Sequence, residues 1–153
     1  MQLKRLFNAS LLALLAITSF SCSKKDAAKT RQELIIGNWQ IISEITTPAI
    51  FDYNSDGIKD EDPYKFAPDC DKDNYYSFKT GGVLEVNYGS LKCDGDDDQP
   101  IQADWALSAD GNTIVIDGST ASVTQLDNNT MKLTVYDNYN GTSCTTVTTL
   151  VRK

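Results

Sequence analysis

Trp105-Ala106-Leu107-Ser108-Ala109-Asp110-Gly111-Asn112-Thr113-Ile114-Val115-Ile116 reads as a complete β-hairpin. Asp110-Gly111 carries the signal of a type I′ turn, whose two central residues need positive φ. Folding the chain there pairs Leu107 with Ile114 and Trp105 with Ile116, all four on one face. A slip of one residue would bury Ser108 and Thr113 in their place, so the side chains themselves specify the register.

The same grammar extends on both sides. Upstream, pairing Phe78 with Leu84 and Tyr76 with Val86 leaves a three-residue loop, Thr80-Gly81-Gly82, with Gly82 in the left-handed position. Downstream, Asn128-Asn129 turns the chain between Leu126 and Met131, and Asn140-Gly141 marks another turn. Around that turn the period is ambiguous: Leu133 and Val135 face either Val147 and Thr149 or Thr146 and Thr148. A first strand runs from about Trp39 to Ile45. No long segment after residue 37 shows a 3.6-residue period. The expectation is an all-β, up-and-down antiparallel barrel of about eight strands, because closure removes the exposed edges of an open meander. An eight-stranded barrel is either filled by side chains or holds one small ligand. The inward candidates Tyr76, Phe78, Trp105, Leu107, Ile114, Ile116 and Leu133 are large, which favours a small or partly filled cavity. A packed barrel without a ligand is the competing reading.

The first strand opens with Gly37-Asn38-Trp39, and the chain ends Leu150-Val151-Arg152-Lys153. A G-x-W at the first strand, a hairpin meander and an Arg near the end resemble the lipocalin-like domain family, over residues 34–153. The resemblance implies that Trp39 plugs one end of the barrel, that Arg152 packs across its indole face, and that Gly37, Trp39 and Arg152 are structural floor residues. It points to a binding cup and not to a reaction. Just upstream, Thr30-Arg31-Gln32-Glu33 matches a capping box. A helical turn through Leu34 to Ile36, stopping at Gly37, would close the floor, as in many lipocalins; the alternative is a strand starting at Leu34.

The length fits one domain, and residues 1–21 stand outside it. Lys4 and Arg5 precede an apolar core, Leu11 to Ile17, too short to span a bilayer. Ser19-Phe20-Ser21-Cys22 resembles a lipobox, which implies acylation of Cys22; an ordinary signal peptide cleaved near Ser21 is the alternative. Residues 22–33 read as a polar tether. The polar stretch after Cys22 also resembles the charged leader of surface-exported bacterial lipoproteins. The expected location is the cell envelope, as an outer-membrane lipoprotein held through its lipid anchor, periplasmic or surface-exposed. Removing Lys4 and Arg5 from the 14 basic residues leaves 12 against 21 acids, a charge of −9. Such a surface repels nucleic acid and anionic headgroups and suits metal cations. His is absent, which removes the commonest general base and zinc ligand.

Between Thr46 and Asp73 lies a segment with Pro48, Pro63, Pro68 and seven Asp. Loops of that length in compact domains are usually functional or disordered. Within it, Asp52-Tyr53-Asn54-Ser55-Asp56-Gly57-Ile58-Lys59-Asp60 matches the first nine positions of an EF-hand-type calcium loop. Asp52, Asn54 and Asp56 would converge as oxygen ligands, Ile58 would offer its carbonyl, and Asp60 would ligate directly or through water. Pro63 occupies the twelfth position and has no ligating side chain, so Glu61 or Asp62 would have to replace it. Affinity is expected at about 0.1–1 mM, as in extracellular calcium modules. The alternative is an Asp/Asn-rich turn capped by its own side chains. Calcium there would order the segment as a lid over the barrel mouth.

Besides Cys22 the chain has Cys70, Cys93 and Cys144. In an oxidising compartment an odd count suggests one bridge and one buried thiol. The Tyr76–Val86 register, extended, puts Cys70 opposite Lys92, one position from Cys93, and a Cys70–Cys93 disulfide is expected. The lipocalin-like lipoproteins that the chain resembles carry Cys at corresponding places, before the second strand and after the third. Cys144 is expected in the core; without His a catalytic Cys is not. The acidic run Asp94-Gly95-Asp96-Asp97-Asp98 reads as a solvated loop, or as a weak second cation site if the bridge brings it near Asp69, Asp71 and Asp73.

The expected protein is a monomeric, non-enzymatic lipoprotein whose barrel binds a small apolar or amphipathic ligand. Notable carboxylate pairs sit in hydrophilic loops, unsuited to acid catalysis. The alternative is a calcium-stiffened interaction module for protein or glycan, including an inhibitor-like one, with rim Tyr residues as contacts. The discriminating quantity is an apolar void of about 300 Å³ or more under the Thr46–Asp73 segment.

Overall fold

Eight antiparallel strands follow one another around a closed barrel in a computed structural model of the chain, each hydrogen-bonded to its sequence neighbour and β8 to β1. The structure describes residues 28–95 and 99–153. The expected leader, Cys22 and Asp96 to Asp98 lie outside them. The strands are β1 (Gly37–Thr47), β2 (Tyr75–Phe78), β3 (Val83–Asn87), β4 (Ile101–Leu107), β5 (Thr113–Ile116), β6 (Ser119–Leu126), β7 (Thr130–Tyr139) and β8 (Thr142–Arg152). A short helix, α1 (Arg31–Ile35), precedes β1. A second, α2 (Asp69–Lys72), closes the long β1–β2 connection, after a 3-10 turn at Pro63–Phe66.

The registers expected from side-chain faces are present: Phe78 pairs with Leu84, Tyr76 with Val86, Leu107 with Ile114, Trp105 with Ile116 and Leu126 with Met131. The ambiguity at β7–β8 resolves as Leu133 opposite Thr148 and Val135 opposite Thr146. Directly opposite residues share a face, so the inner wall of the barrel carries threonine hydroxyls.

Two local expectations are corrected. Asp110-Gly111 does not form a type I′ turn. Ser108 N donates to Thr113 O at 2.8 Å, leaving four residues in the loop, and of the pair only Gly111 has positive φ. The Asp110 carboxylate organises the loop by accepting from Asn112 N at 3.0 Å and from Ser108 Oγ. The φ values of a type I′ turn occur at Asp117-Gly118 (47° and 78°) and at Asn140-Gly141 (49° and 84°). Second, Cys70 is not opposite Lys92 in an extended ladder, because β2 begins only at Tyr75 and Cys70 lies in α2.

The floor is built by α1. Thr30 Oγ1 accepts from Glu33 N, and the Glu33 carboxylate accepts from Thr30 N, the expected capping box. Ile35 and Trp39 are fully buried at the centre of the core. Arg31, which the sequence does not advertise, sends Nε–H to Gly111 O at 2.7 Å and Nη2–H to Val123 O at 3.0 Å, tying α1 to the far wall.

Candidate functional site

At the floor, Trp39 Nε1–H donates to Ile35 O at 2.7 Å, satisfying the one polar atom of a buried indole. The Arg152 guanidinium stacks on the other side, its central carbon 4.2 Å from the ring centroid. Its Nη1–H donates to Ile36 O at 3.0 Å, Nη2–H to Leu34 O, and Nε–H to Asn128 O at 2.7 Å. One cation therefore fills the open carbonyls behind α1 and anchors the β6–β7 turn. Gly37 has φ of 131°, and a Cβ there would collide with the Arg152 guanidinium. The three residues expected at the floor are thus brought together.

Above this floor the barrel encloses a cavity of about 250 Å³. Its wall includes Ile41, Tyr76, Leu84, Ile116, Leu133 and Thr148 and, among the described residues, carries no charged side chain. Ser119 and Thr120, beside the β5–β6 turn, also line it, so it reaches the mouth of the barrel.

The mouth is shaped by an irregularity in β1. Ile41 pairs with Leu150 but Ser43 pairs with Thr149, so Ile42 is extra and is pushed out to 52% exposure. Such a bulge flips the facing of everything beyond it. Glu44 then stands opposite Thr148, and Thr46 opposite Thr146, on the inner face. Thr46 Oγ1 and Thr146 Oγ1 are 3.0 Å apart. The half-buried Glu44 carboxylate has no hydrogen-bond or ion-pair partner among the described residues. Burial, and then the negative charge of Asp62, raise its pKa. Burial and then Glu44 likewise raise the Tyr76 and Tyr53 phenols.

β1 pairs with β2 only from Gly37 to Trp39. Beyond that, the returning long connection occupies the gap: Thr46 N donates to Glu61 O at 2.7 Å, Glu44 N to Asp62 Oδ1 at 3.5 Å, and Tyr64 Oη to Ile41 O at 2.7 Å. Asp62, a candidate replacement for the twelfth calcium position, is buried there beside β1. Phe51 stacks edge-on against Tyr139 with centroids 4.5 Å apart, resting the connection on the β7–β8 hairpin.

The Asp52–Asp60 loop is exposed and tightly turned, with Ser55 at φ 61° and Gly57 at φ 86°. Asp52 accepts from Asp56 N at 3.1 Å and from Gly57 N at 2.8 Å. Asn54 Oδ1 accepts from Asp56 N at 3.0 Å, Asp56 from Ile58 N at 2.8 Å, and Asp60 from Tyr53 N at 2.9 Å. Phe51 and Asp60 bridge the base of the loop.

The expected disulfide joins Cys70 to Cys93, with Cα atoms 5.3 Å apart. It fastens α2 to the β3–β4 connection. Asp73 reinforces that link by accepting from Leu91 N at 3.0 Å and Ser90 Oγ at 2.9 Å, while Lys153 Nζ lies 3.4 Å away. These hydrogen bonds hold the Asp73 carboxyl down at about 2, the Leu91 N–H contributing most. Cys144 is a buried free thiol.

A family model described as a lipocalin-like domain matches residues 35–133. The chain belongs to this family. No curated protein matches it. Solved structures similar to this lipocalin-like domain include bovine odorant binding protein in complex with undecanal, at 17% identity and TM-score 0.42, covering 85% of this chain and 77% of that one. The same bovine protein with a selenium-containing odorant gives 14% identity and TM-score 0.41, over 85% and 76% of the two chains.

Proposed function

We propose that this lipocalin-like protein is a non-enzymatic carrier or sensor whose barrel takes up one small apolar or amphipathic molecule. The observation that carries the reading is the uncharged cavity of about 250 Å³ between a sealed floor and an open mouth. It is slightly smaller than the roughly 300 Å³ at which ligand pockets usually begin, which suits a short chain or a single ring. Around this cup we place the remaining parts of the reading. Cys22 is the acylated N-terminus of a monomeric envelope lipoprotein, anchored at the outer membrane and separated from the barrel by residues 22–33. The Asp52, Asn54, Asp56, Ile58 and Asp60 loop binds calcium weakly at the rim, and the ion stiffens the connection that leans on Tyr139.

Titration calorimetry with 1-octanol, run on the native protein and on Ala121→Trp, tests the cup. Ala121 lines the cavity, and the indole would occupy the void. Saturable octanol binding that weakens at least tenfold in the variant supports the reading. Equal binding to both proteins, or none to either, overturns it.

Exposed rim aromatics support a second reading, a calcium-stiffened module that binds protein or glycan. Tyr53, Tyr136 and Tyr139 are 45%, 72% and 44% exposed.

A further inference from the structure

We infer that the cup selects amphiphiles with a cationic head, of the alkylammonium type, over those with a carboxylate head. The inference rests on the ligand-binding reading above and adds the charge of the ligand.

The geometry has three parts. The cavity wall is uncharged, so an alkyl chain loses nothing there by leaving water. At its upper edge the inner face passes from Thr148 to the opposite residue, Glu44, because the bulge at Ile42 turns that carboxylate inward. The groups around Glu44 are acidic, phenolic or hydroxylic: Asp62 from the returning connection, Tyr53 from the loop, Tyr76 from β2 and Thr148 from β8. Arg152 is committed under the floor to Trp39 and to three carbonyls.

A ligand seated chain-down along the Thr148 side of the cavity would bring its head to Glu44, the residue opposite. A carboxylate head would meet like charge in a half-desolvated place. An ammonium would meet one carboxylate and the Thr148 hydroxyl, which together replace part of its hydration. The raised carboxyl and phenol pKa values around Glu44, due first to burial and then to acidic neighbours, agree with a site without a cation among the described residues.

The test is calorimetry of the intact protein with octylammonium, 1-octanol and octanoate at low ionic strength near neutral pH, repeated on Glu44→Gln. The expected order is octylammonium tightest, by at least tenfold over octanol, with octanoate weakest. In Glu44→Gln octylammonium falls to the octanol value while octanol still binds saturably, which also shows the cup intact. Octanoate binding as tightly as octylammonium overturns the selectivity and leaves the cup standing. An octylammonium preference that survives Glu44→Gln overturns the role of Glu44. Failure of all three probes overturns the cup and the selectivity together.

Discussion

Arg152 and Trp39 form a single sealed unit: the guanidinium lies 4.2 Å from the indole centroid while its N–H groups reach carbonyls at the C-terminal end of α1 and on the β6–β7 turn. The last strand is thereby locked to the first, which it also pairs along the barrel wall. Replacing Arg152 by Ala exposes the indole face and leaves three carbonyls without their donor. The expected cost is about 2–4 kcal/mol, from the lost cation–π contact and charged hydrogen bonds. Urea unfolding followed by Trp fluorescence measures it. Arg152→Lys keeps the charge but not the fork, and recovers less than half of that loss.

Calcium at the Asp52–Asp60 loop has to displace the backbone N–H groups that its carboxylates now accept, or share oxygens with them. Binding in the millimolar range predicts that thermal unfolding shifts upward between chelator and about ten times the dissociation constant, equivalent to roughly 1.4 kcal/mol by mass action. Asp56→Ala should abolish the shift. Identical melts with and without the ion would reduce the loop to a self-capped turn.

The Cys70–Cys93 bridge closes a sequence separation of 23 residues. Chain-entropy arguments assign such a loop about 3 kcal/mol. The double variant Cys70→Ser/Cys93→Ser should unfold at correspondingly lower denaturant. The penalty should shrink when Asp73→Asn is also present, because Asp73 ties the same two segments. A double-mutant cycle reads that coupling.

Asp73 also predicts a pH effect. Its native pKa is depressed to about 2, below the unfolded value of about 3.9. Its contribution is therefore fully present above about pH 4 and is lost as pH falls through about 2. Acid titration of stability should show a limb in that window which Asp73→Asn flattens. An unchanged acid limb would mean that other carboxyls carry it.

The barrel was legible because its hairpins obey alternation: Leu107, Ile114, Trp105 and Ile116 admit one register only, and the structure has it. The disulfide was legible from cysteine count and approximate placement, although the helical start of α2 defeats the register used to place Cys70. Glu44 was not legible. Counting by twos from Trp39 sends Ile41, Ser43 and Ile45 inward and Glu44 to solvent. Only the extra residue at Ile42 reverses that, and no Gly or Pro at Ile42 advertises the bulge. Arg31 escaped for a related reason, since its partners are the Gly111 and Val123 carbonyls, which carry no side-chain signature.

The strands of the barrel are unequal. β1 and β8 each run 11 residues and β7 runs 10, whereas β2 and β5 have 4 and β3 has 5. The long ones are adjacent, so they form a tall back wall, and the short ones a low front. On the ligand-binding reading proposed above, a molecule leaving the cup would not need to pass the crest of β7–β8; the shorter climb is over β5–β6, where Ser119 and Thr120 border the cavity. The same asymmetry divides the ladder into a deep cooperative half and a shallow one. Amide protons should persist longest along β7, β8 and β1 and exchange soonest along β2 to β5, so that, on the same reading, the half that breathes would border the route of a guest.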